Sequence, residues 1–486
     1  MMRLQQLLKD HVANADRVAD LLVSGLCEHS AFVETGDVFI AGARESHLRI
    51  EHIQHAVQAG AAAVLVEAGC ENSVQTSVPV IGVPNLIELK GQLAAAAYAD
   101  PSAHMNCIGI TGTNGKTSIA YHIADIFQQM GDPCGYIGTL GWGGLADLKM
   151  TRLTTPDAVT LQKELAALRD QSIHRVAIEC SSHSLEQGRV RDVKLDVGIF
   201  SNLSRDHLDY HETMGQYGKA KAKLFTEYPL KLAVINTDDD LGRKLLSCSR
   251  AEEVLSYGAS GDIRWRASMV GRRMEVRFST PWGRIECHLP FASDFAIANV
   301  AAAVGAILGM GRSITEVAQV LQGLQQVPGR MQLLNGPPGR PRVLVDYAHT
   351  PDAVAKALSS LRGQSRGKLI CVVGCGGDRD RGKRPEMGRV AVEQADQVWL
   401  TSDNPRSEAP EEIIRQMQAD LSPMQLQHVN TVVDRRQAIC QAIAASSSDD
   451  VILIAGKGHE SSQEIQGTFY PFDDKEIVKS CFEEMN

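Results

Sequence analysis

Directly after the apolar run CIGIT the chain reads GTNGKTS, Gly112 to Ser118: two glycines, a lysine and hydroxyl side chains in the space of seven residues. A polyphosphate needs that set. Glycines let backbone N–H groups close around phosphate oxygens, and the helix that starts near Lys116 adds partial positive charge. Lys116 can reach the terminal phosphates and Thr117 can ligate Mg²⁺, with Thr113, Asn114, Gly115 and Ser118 completing the cradle. The usual GxxxxGK[ST] spacing is shortened, because Ile110 stands five positions before Gly115. A glycine turn with an incidental lysine would not account for strand, loop, helix start and hydroxyl occurring together.

A second group follows the strand-like run RVAIE. Glu179 and then His183 in CSSHSLEQGRV stand just past a strand end. Mg²⁺ takes oxygen ligands together with the phosphates of its nucleotide, so Glu179 can complete the coordination begun by Thr117. His183 could serve a second metal; by itself it reads more readily as a structural or surface histidine. The segment SNLSRDHLDYHETMGQYGKAKAKLF is dense in Asp, His and Lys, and spacing alone makes it a solvated charged helix and loop.

These groups need rigid elements behind them. With 486 residues the chain is too long for one core, and three domains are expected at roughly 100 to 200 residues each. Residues 1–88 alternate short apolar runs with helical patterns, as a small α/β domain does. Residues 89–328 alternate continuous apolar strands with helices, the pattern of a parallel sheet covered on both faces, and predict a doubly wound, P-loop-type ATP-binding core. Residues 329–486 predict a third, Rossmann-like α/β domain, in which apolar strands run into the loops GCGGDRD, SDNPR and GKGHE. Ligands collect at such carboxyl ends. The fold class is therefore α/β throughout.

Bulk properties narrow the function. A net charge of −9 argues against a nucleic-acid or membrane-surface binder. The eleven cysteines are scattered, without a CxxC knuckle, so reduced and mostly buried thiols are expected. No apolar run approaches the roughly 18 to 20 residues of a membrane span, and a cytoplasmic protein is expected.

Taken together the segments resemble the Mur ligases of peptidoglycan synthesis, relatives of folylpolyglutamate synthetase. The matching residues are TGTNGKTS, the E-x-S-S-H pattern from Glu179 to His183, NLSRDHLDYH with AKAKLF, Asn299, PGRMQ at 328–332 and DYAHTPDA at 346–353. The resemblance spans nearly everything from about residue 105 onward. It implies ATP and Mg²⁺ as cofactor and metal, with Asn299, Arg330 and Asp346 as further nucleotide contacts. It also implies a lysine carbamylated by CO₂ into a metal ligand, which Y-x-x-x-K-x-x-L-F places at Lys221, between the rivals Lys219 and Lys223. Lys116, Glu179, His183 and Lys221 form the implied catalytic set, and Thr117, Glu179, His183 and the Lys221 carbamate the metal set.

The loop SDNPRSE resembles the DNPR signature of family members that add meso-diaminopimelate to UDP-N-acetylmuramoyl-L-alanyl-D-glutamate. The chemistry agrees. An Arg406 fork matches the distal carboxylate of that diamino acid, while Asp403 and Asn404 can accept hydrogen bonds from its ammonium. Lysine, lacking that carboxylate, would leave Arg406 unpaired and be rejected. The resemblance carries Pro405, Arg379, Gly456 and Glu460 into the same amino-acid site.

For the UDP-linked substrate it carries over Ser30, Thr154, Thr155, Ser181, Gln187 and Arg189. Leu153 stands where relatives commonly have asparagine, and the loop ARESHLRIEHI lacks the usual Gly-His-x-x-Asp-Gly pattern, with Arg44, His47 and Arg49 as candidate partners for anions there. The implied enzyme forms an amide through an acyl phosphate and acts as a monomer on small molecules. The alternatives are a diverged ligase acting on another carboxylate or amine, and a nucleotide-dependent scaffold that kept only the phosphate loop.

Overall fold

Continuous runs of Val, Ile, Leu and Ala leave no polar face on a strand, and the sheets they build are covered on both sides. The computed structural model describes residues 1–12, 20–42, 46–270, 273–291, 293–334, 336–363 and 365–484. Arg44 and the side chains of His47 and Arg49 lie outside the described residues.

The first sheet has four parallel strands in chain order, Leu26–Cys27, Val38–Ile40, Ala63–Glu67 and Val80–Val83. Leu86, Leu93 and Ala94 of the helix Leu86–Ala97 pack into one core with Leu4, Val38 and Leu65. The boundary expected after residue 88 falls inside that helix, whose apolar face closes the first core.

The central sheet has seven strands in the order Glu253–Tyr257, Leu232–Asn236, Val197–Phe200, Asn106–Thr111, Arg175–Glu179, Gly135–Gly138, Gly141–Gly143. Every neighbouring pair is parallel except the last. Asn106–Thr111 lies at the middle with later strands on both sides, which makes its carboxyl end a topological switch point. Helices Lys116–Gln129 and Asp294–Gly309 pack on one face, through Ile123, Phe127, Val300 and Val304. Helices Ala158–Asp170 and Met214–Thr226 cover the other, through Leu161, Leu165, Leu224 and Phe225.

The strand and helix alternation read across residues 89–328 is broken once. Arg264–Val270, Arg273–Thr280 and Gly283–Leu289 form an antiparallel three-stranded sheet. Met274, Val276 and Phe278 are buried at every second position, the period of a sheet with one solvated face.

The third sheet has six strands in the order Gln332–Leu334, Arg342–Asp346, Val451–Ala455, Leu369–Val373, Gln397–Leu400, Val429–Thr431, all parallel but the first. A hairpin, Ser462–Ile465 with Thr468–Pro471, stands beside it.

One expectation about cysteine fails. Cys440 and Cys481 are joined in a disulfide. They lie 41 residues apart in sequence, and the packing of helix Arg435–Ala444 on helix Asp474–Glu484 brings their Cα atoms to 5.6 Å. Nothing in their spacing signals that contact. Cys371 and Cys375, the nearest pair in sequence, are buried free thiols. Among the described residues no helix is long and apolar enough to cross a membrane.

Candidate active site

The central strand Asn106–Thr111 ends at a loop that only glycine can close. Gly112 has φ +148 and Gly115 φ +89, and a Cβ on them would lie 1.9 Å from Ser201 Oγ and 2.5 Å from Asn299 Oδ1. The helix then starts at Lys116 with its first N–H groups facing the loop. Lys116 folds back over it, donating from Nζ to the carbonyls of Gly112 and Thr113, both at 2.9 Å. Burial lowers its ammonium pKa, against the attraction of Glu179.

Glu179, at the end of the adjacent strand, is fully buried and gathers four donors. Its Oε1 accepts from Tyr136 Oη at 2.5 Å and Thr139 N at 2.9 Å, its Oε2 from Thr117 Oγ1 at 3.0 Å and Thr139 Oγ1 at 3.2 Å. Thr117 Oγ1 also accepts from an Arg330 terminal nitrogen at 2.9 Å, and the Arg330 guanidinium lies over the Tyr347 ring. Two hard oxygen donors therefore sit 3.0 Å apart at the phosphate loop, a donor set that suits Mg²⁺.

A cavity of about 360 Å³ opens beside the loop, lined by Asn114, Gly115, Ser118, Asn299, Arg330 and Asp346, among others. Residues expected from three separate segments thus meet in one place. Asp346 is buried and accepts from Met331 N at 2.6 Å and Ala348 N at 2.8 Å, so it fixes the chain on either side of itself. Burial raises its carboxyl pKa, opposed by Arg330.

Lys221, on helix Met214–Thr226, is 1 % exposed and donates to Gly112 O at 2.8 Å. Burial, then the charge of Lys116, pushes its ammonium pKa well down. His183 sits in the short helix Ser182–Glu186, its ring 4.2 Å from that of Tyr210, 5.0 Å from His207 and 5.3 Å from His211. Burial lowers the His183 pKa, and it lowers that of His207 to about 4. The segment read from spacing alone as a solvated face is thus folded against the phosphate loop.

A larger cleft of about 480 Å³ runs between the central and C-terminal domains. On one wall are Thr154, Thr155, Ser181, His183 and Arg189; on the other are Arg379, Asp403, Asn404, Arg406, Gly456 and Glu460. Three expected residues do not line it. Ser30 Oγ lies 3.2 Å from His52 Nδ1 in the first domain. Gln187 accepts from Arg189 and donates to Tyr210 Oη. Pro405 turns its carbonyl toward Gly377, where a Cβ would meet it at 1.9 Å.

Several lining residues were not anticipated, among them Arg152, Asp206, His349 and Lys383. Asp206 and His349 lie inside stretches the sequence marks, and their position at strand ends was the available signal. Arg152 reaches the first domain, its guanidinium 4.0 Å over the Phe32 ring.

The DNPR loop is held from below. Lys457 is fully buried and donates to Asn404 Oδ1 at 3.0 Å and Glu460 Oε2 at 2.9 Å, while Asn404 Nδ2 donates to the same Glu460 oxygen at 2.8 Å. The Asn404 oxygen also accepts from Glu464 N at 3.0 Å, so it is not free for an incoming ammonium as the sequence suggested. Arg406 is engaged through part of its fork: its Nε donates to Glu464 Oε2 at 3.0 Å and its NH1 to Gly377 O at 2.7 Å.

Comparison with known proteins agrees with this architecture. Residues 110–307 match the Mur ligase middle domain, and residues 329–458 the Mur ligase, glutamate ligase domain. A protein of Coxiella burnetii named UDP-N-acetylmuramoyl-L-alanyl-D-glutamate--2,6-diaminopimelate ligase is 42% identical over 482 residues, covering 96% of this chain and 97% of its own. Its namesake in Pseudomonas syringae pv. tomato is 43% identical over 471 residues, covering 96% and 95%. A solved structure of an enzyme with that name is 32% identical with a TM-score of 0.68, covering 100% of this chain and 99% of that one. MurF from Acinetobacter baumannii, at 17% identity and TM-score 0.69 over 99% and 98%, shares the fold. With its switch-point phosphate loop and a cleft shared by two domains, the chain belongs to the Mur ligase family.

Proposed function

We propose that this chain is an ATP-dependent ligase that joins meso-diaminopimelate to the D-glutamate γ-carboxylate of UDP-N-acetylmuramoyl-L-alanyl-D-glutamate. The observation that carries the reading is a shared wall: Tyr347 lines both the nucleotide-loop cavity and the interdomain cleft. A phosphate at the end of one is thereby adjacent to an acceptor in the other. The relatives at 42 and 43% identity that bear this activity in their names support the same substrates.

In this mechanism the γ-phosphoryl group of ATP passes to a carboxylate oxygen of the D-glutamate side chain, giving an acyl phosphate and ADP. The amine then adds to the acyl carbon, and the tetrahedral intermediate collapses with loss of phosphate and a proton. Gly112 to Ser118 cradle the polyphosphate, Asn299 and Asp346 frame the nucleoside side, and Lys116 with Arg330 balances charge on the phosphoryl oxygens. Thr117, Glu179 and His183 would hold magnesium, which neutralises phosphate charge when bound. The buried Lys221 amine, whose charged form burial disfavours, is suited as the free base to add to CO₂, forming an N–C bond and releasing a proton, and the resulting carbamate would join the metal set. Thr154, Thr155, Ser181 and Arg189 receive the UDP-linked dipeptide. Arg379, Asp403, Arg406 and Glu460 receive the diamino acid.

The test is phosphate release with UDP-N-acetylmuramoyl-L-alanyl-D-glutamate and either meso-diaminopimelate or lysine. Turnover should favour diaminopimelate by at least about 100-fold, the discrimination expected when a buried polar group loses its partner. Equal rates with lysine, or none with either, would point to a ligase of the same chemistry with other substrates.

A further inference from the structure

The hairpin Ser462–Ile465 and Thr468–Pro471 is a satellite of the third sheet, yet its backbone grips the DNPR loop at two main-chain groups and one side chain. Arg406 N donates to Glu464 O at 3.1 Å, Gln466 N donates to Arg406 O at 2.8 Å, and Glu464 N donates to Asn404 Oδ1 at 3.0 Å. Arg406 itself has φ +51, a left-handed conformation that a side-chain-bearing residue keeps only where its surroundings enforce it. The hairpin supplies that enforcement.

The side chains repeat the pattern. A guanidinium has five N–H donors on two edges, Nε with one terminal nitrogen and the two terminal nitrogens together. Glu464 takes Nε through one oxygen at 3.0 Å, and Gly377 O takes one NH1 donor at 2.7 Å. Among the described residues the NH2 donors and the second NH1 donor of Arg406 meet no protein acceptor, and Arg406 lines the cleft whereas Glu464 does not. The carboxylate therefore holds the Nε side of a guanidinium that lines the cleft, and the terminal nitrogens keep donors to spare.

Resting on the diaminopimelate reading, we infer that Glu464 is a positioning residue for amino-acid selection: it locks Arg406 through Nε so that the spare terminal donors meet the distal carboxylate of the incoming diamino acid. An unlocked arginine would have to be ordered by each substrate molecule, and that ordering would be subtracted from affinity. Lysine, without a distal carboxylate, gains nothing from the lock.

The experiment is steady-state kinetics of the full chain carrying Glu464→Ala or Glu464→Gln, with meso-diaminopimelate varied at saturating ATP and UDP-linked dipeptide. The KM for diaminopimelate should rise about tenfold in the alanine variant, the scale of one hydrogen bond to a charged group, and less in the glutamine variant, whose amide oxygen still accepts from Nε. The KM for ATP should stay, and the preference for diaminopimelate over lysine should shrink in step. Should the alanine variant fail to fold, the glutamine variant decides by the same split. An unchanged or lowered diaminopimelate KM in an active enzyme overturns this inference alone. A wild-type enzyme inert with diaminopimelate overturns it together with the substrate assignment.

Discussion

Lys221 and Lys116 donate to the same acceptor, the carbonyl oxygen of Gly112, at 2.8 and 2.9 Å. As ammonium groups the two would repel each other across one neutral oxygen, and both have lowered pKa values, chiefly through burial. Converting Lys221 to a carbamate would replace that repulsion with attraction toward Lys116. Lys221→Ala should therefore lower kcat by at least about 100-fold, in the range for loss of a group that stabilises phosphoryl charge. A short added carboxylate such as formate or acetate should restore part of the rate, and ¹³CO₂ should give a carbamate carbon signal in the wild type that the variant lacks. Turnover unaffected by the substitution would leave this lysine with no part in the chemistry.

Arg330 is the first charged residue after the central domain and reaches back to Thr117 Oγ1 at 2.9 Å while stacking on Tyr347. It bridges the nucleotide loop and the third domain with one side chain. Arg330→Lys keeps the charge but not the planar fork. We expect kcat to fall about tenfold or more and the KM for ATP to rise, each read from phosphate release at varied ATP. Wild-type constants in this variant would show that charge alone suffices.

The phosphate loop was legible because its chemistry is local: glycine, lysine and hydroxyl must be consecutive to close on one phosphate. Glu179 was legible for a related reason, since a strand end fixes where its side chain points. The cleft was legible only in its loops. Lys457 and Glu464 matter through contacts with Asn404 and Arg406, more than 50 residues away, and no spacing rule encodes a pairing made by two β-strands and a hairpin. The antiparallel sheet from Arg264 to Leu289 was missed because its alternating pattern was averaged into the helical and apolar stretches on either side. The Cys440–Cys481 pair illustrates the same limit, being a product of helix packing.

Glu164 gives the stability a pH dependence. It is buried on helix Ala158–Asp170, its Oε2 has no hydrogen-bond partner among the described residues, and burial with the nearby Asp157 charge pushes its carboxyl pKa up from 4.5 to about 8. The folded state thus holds a proton that the unfolded chain has already lost between those values. Its contribution is fully present below 4.5 and disappears as the pH rises through about 8. Glu164→Gln, which cannot ionise, should raise the unfolding temperature at about pH 8.5 and change it little at about pH 5. Parallel curves for variant and wild type across that range would contradict a protonated Glu164.

Arg384 connects stability to the amino-acid site. Its side chain is fully buried and forms a two-pronged fork with Glu408, NH1 to Oε2 at 2.9 Å and NH2 to Oε1 at 2.8 Å. NH2 also donates to Gly376 O at 3.1 Å, and Glu408 Oε1 accepts from Asp378 N at 2.7 Å, so the pair clamps the loop that carries Arg379. The Arg384 hydrogen bonds hold the Glu408 carboxyl down at about 2, so the clamp stays charged at neutral pH. Glu408→Ala strands a buried guanidinium and should cost about 3 to 5 kcal/mol, measured by denaturant titration of the C-terminal transition. Replacing both partners with apolar residues, Arg384→Met with Glu408→Leu, should recover much of that loss, because no uncompensated charge remains. The KM for the amino acid should nevertheless stay raised in the double variant, since Gly376 and Asp378 have lost the donor and acceptor that fix the Arg379 loop. A double variant with normal amino-acid affinity would show that Arg379 is placed by other contacts.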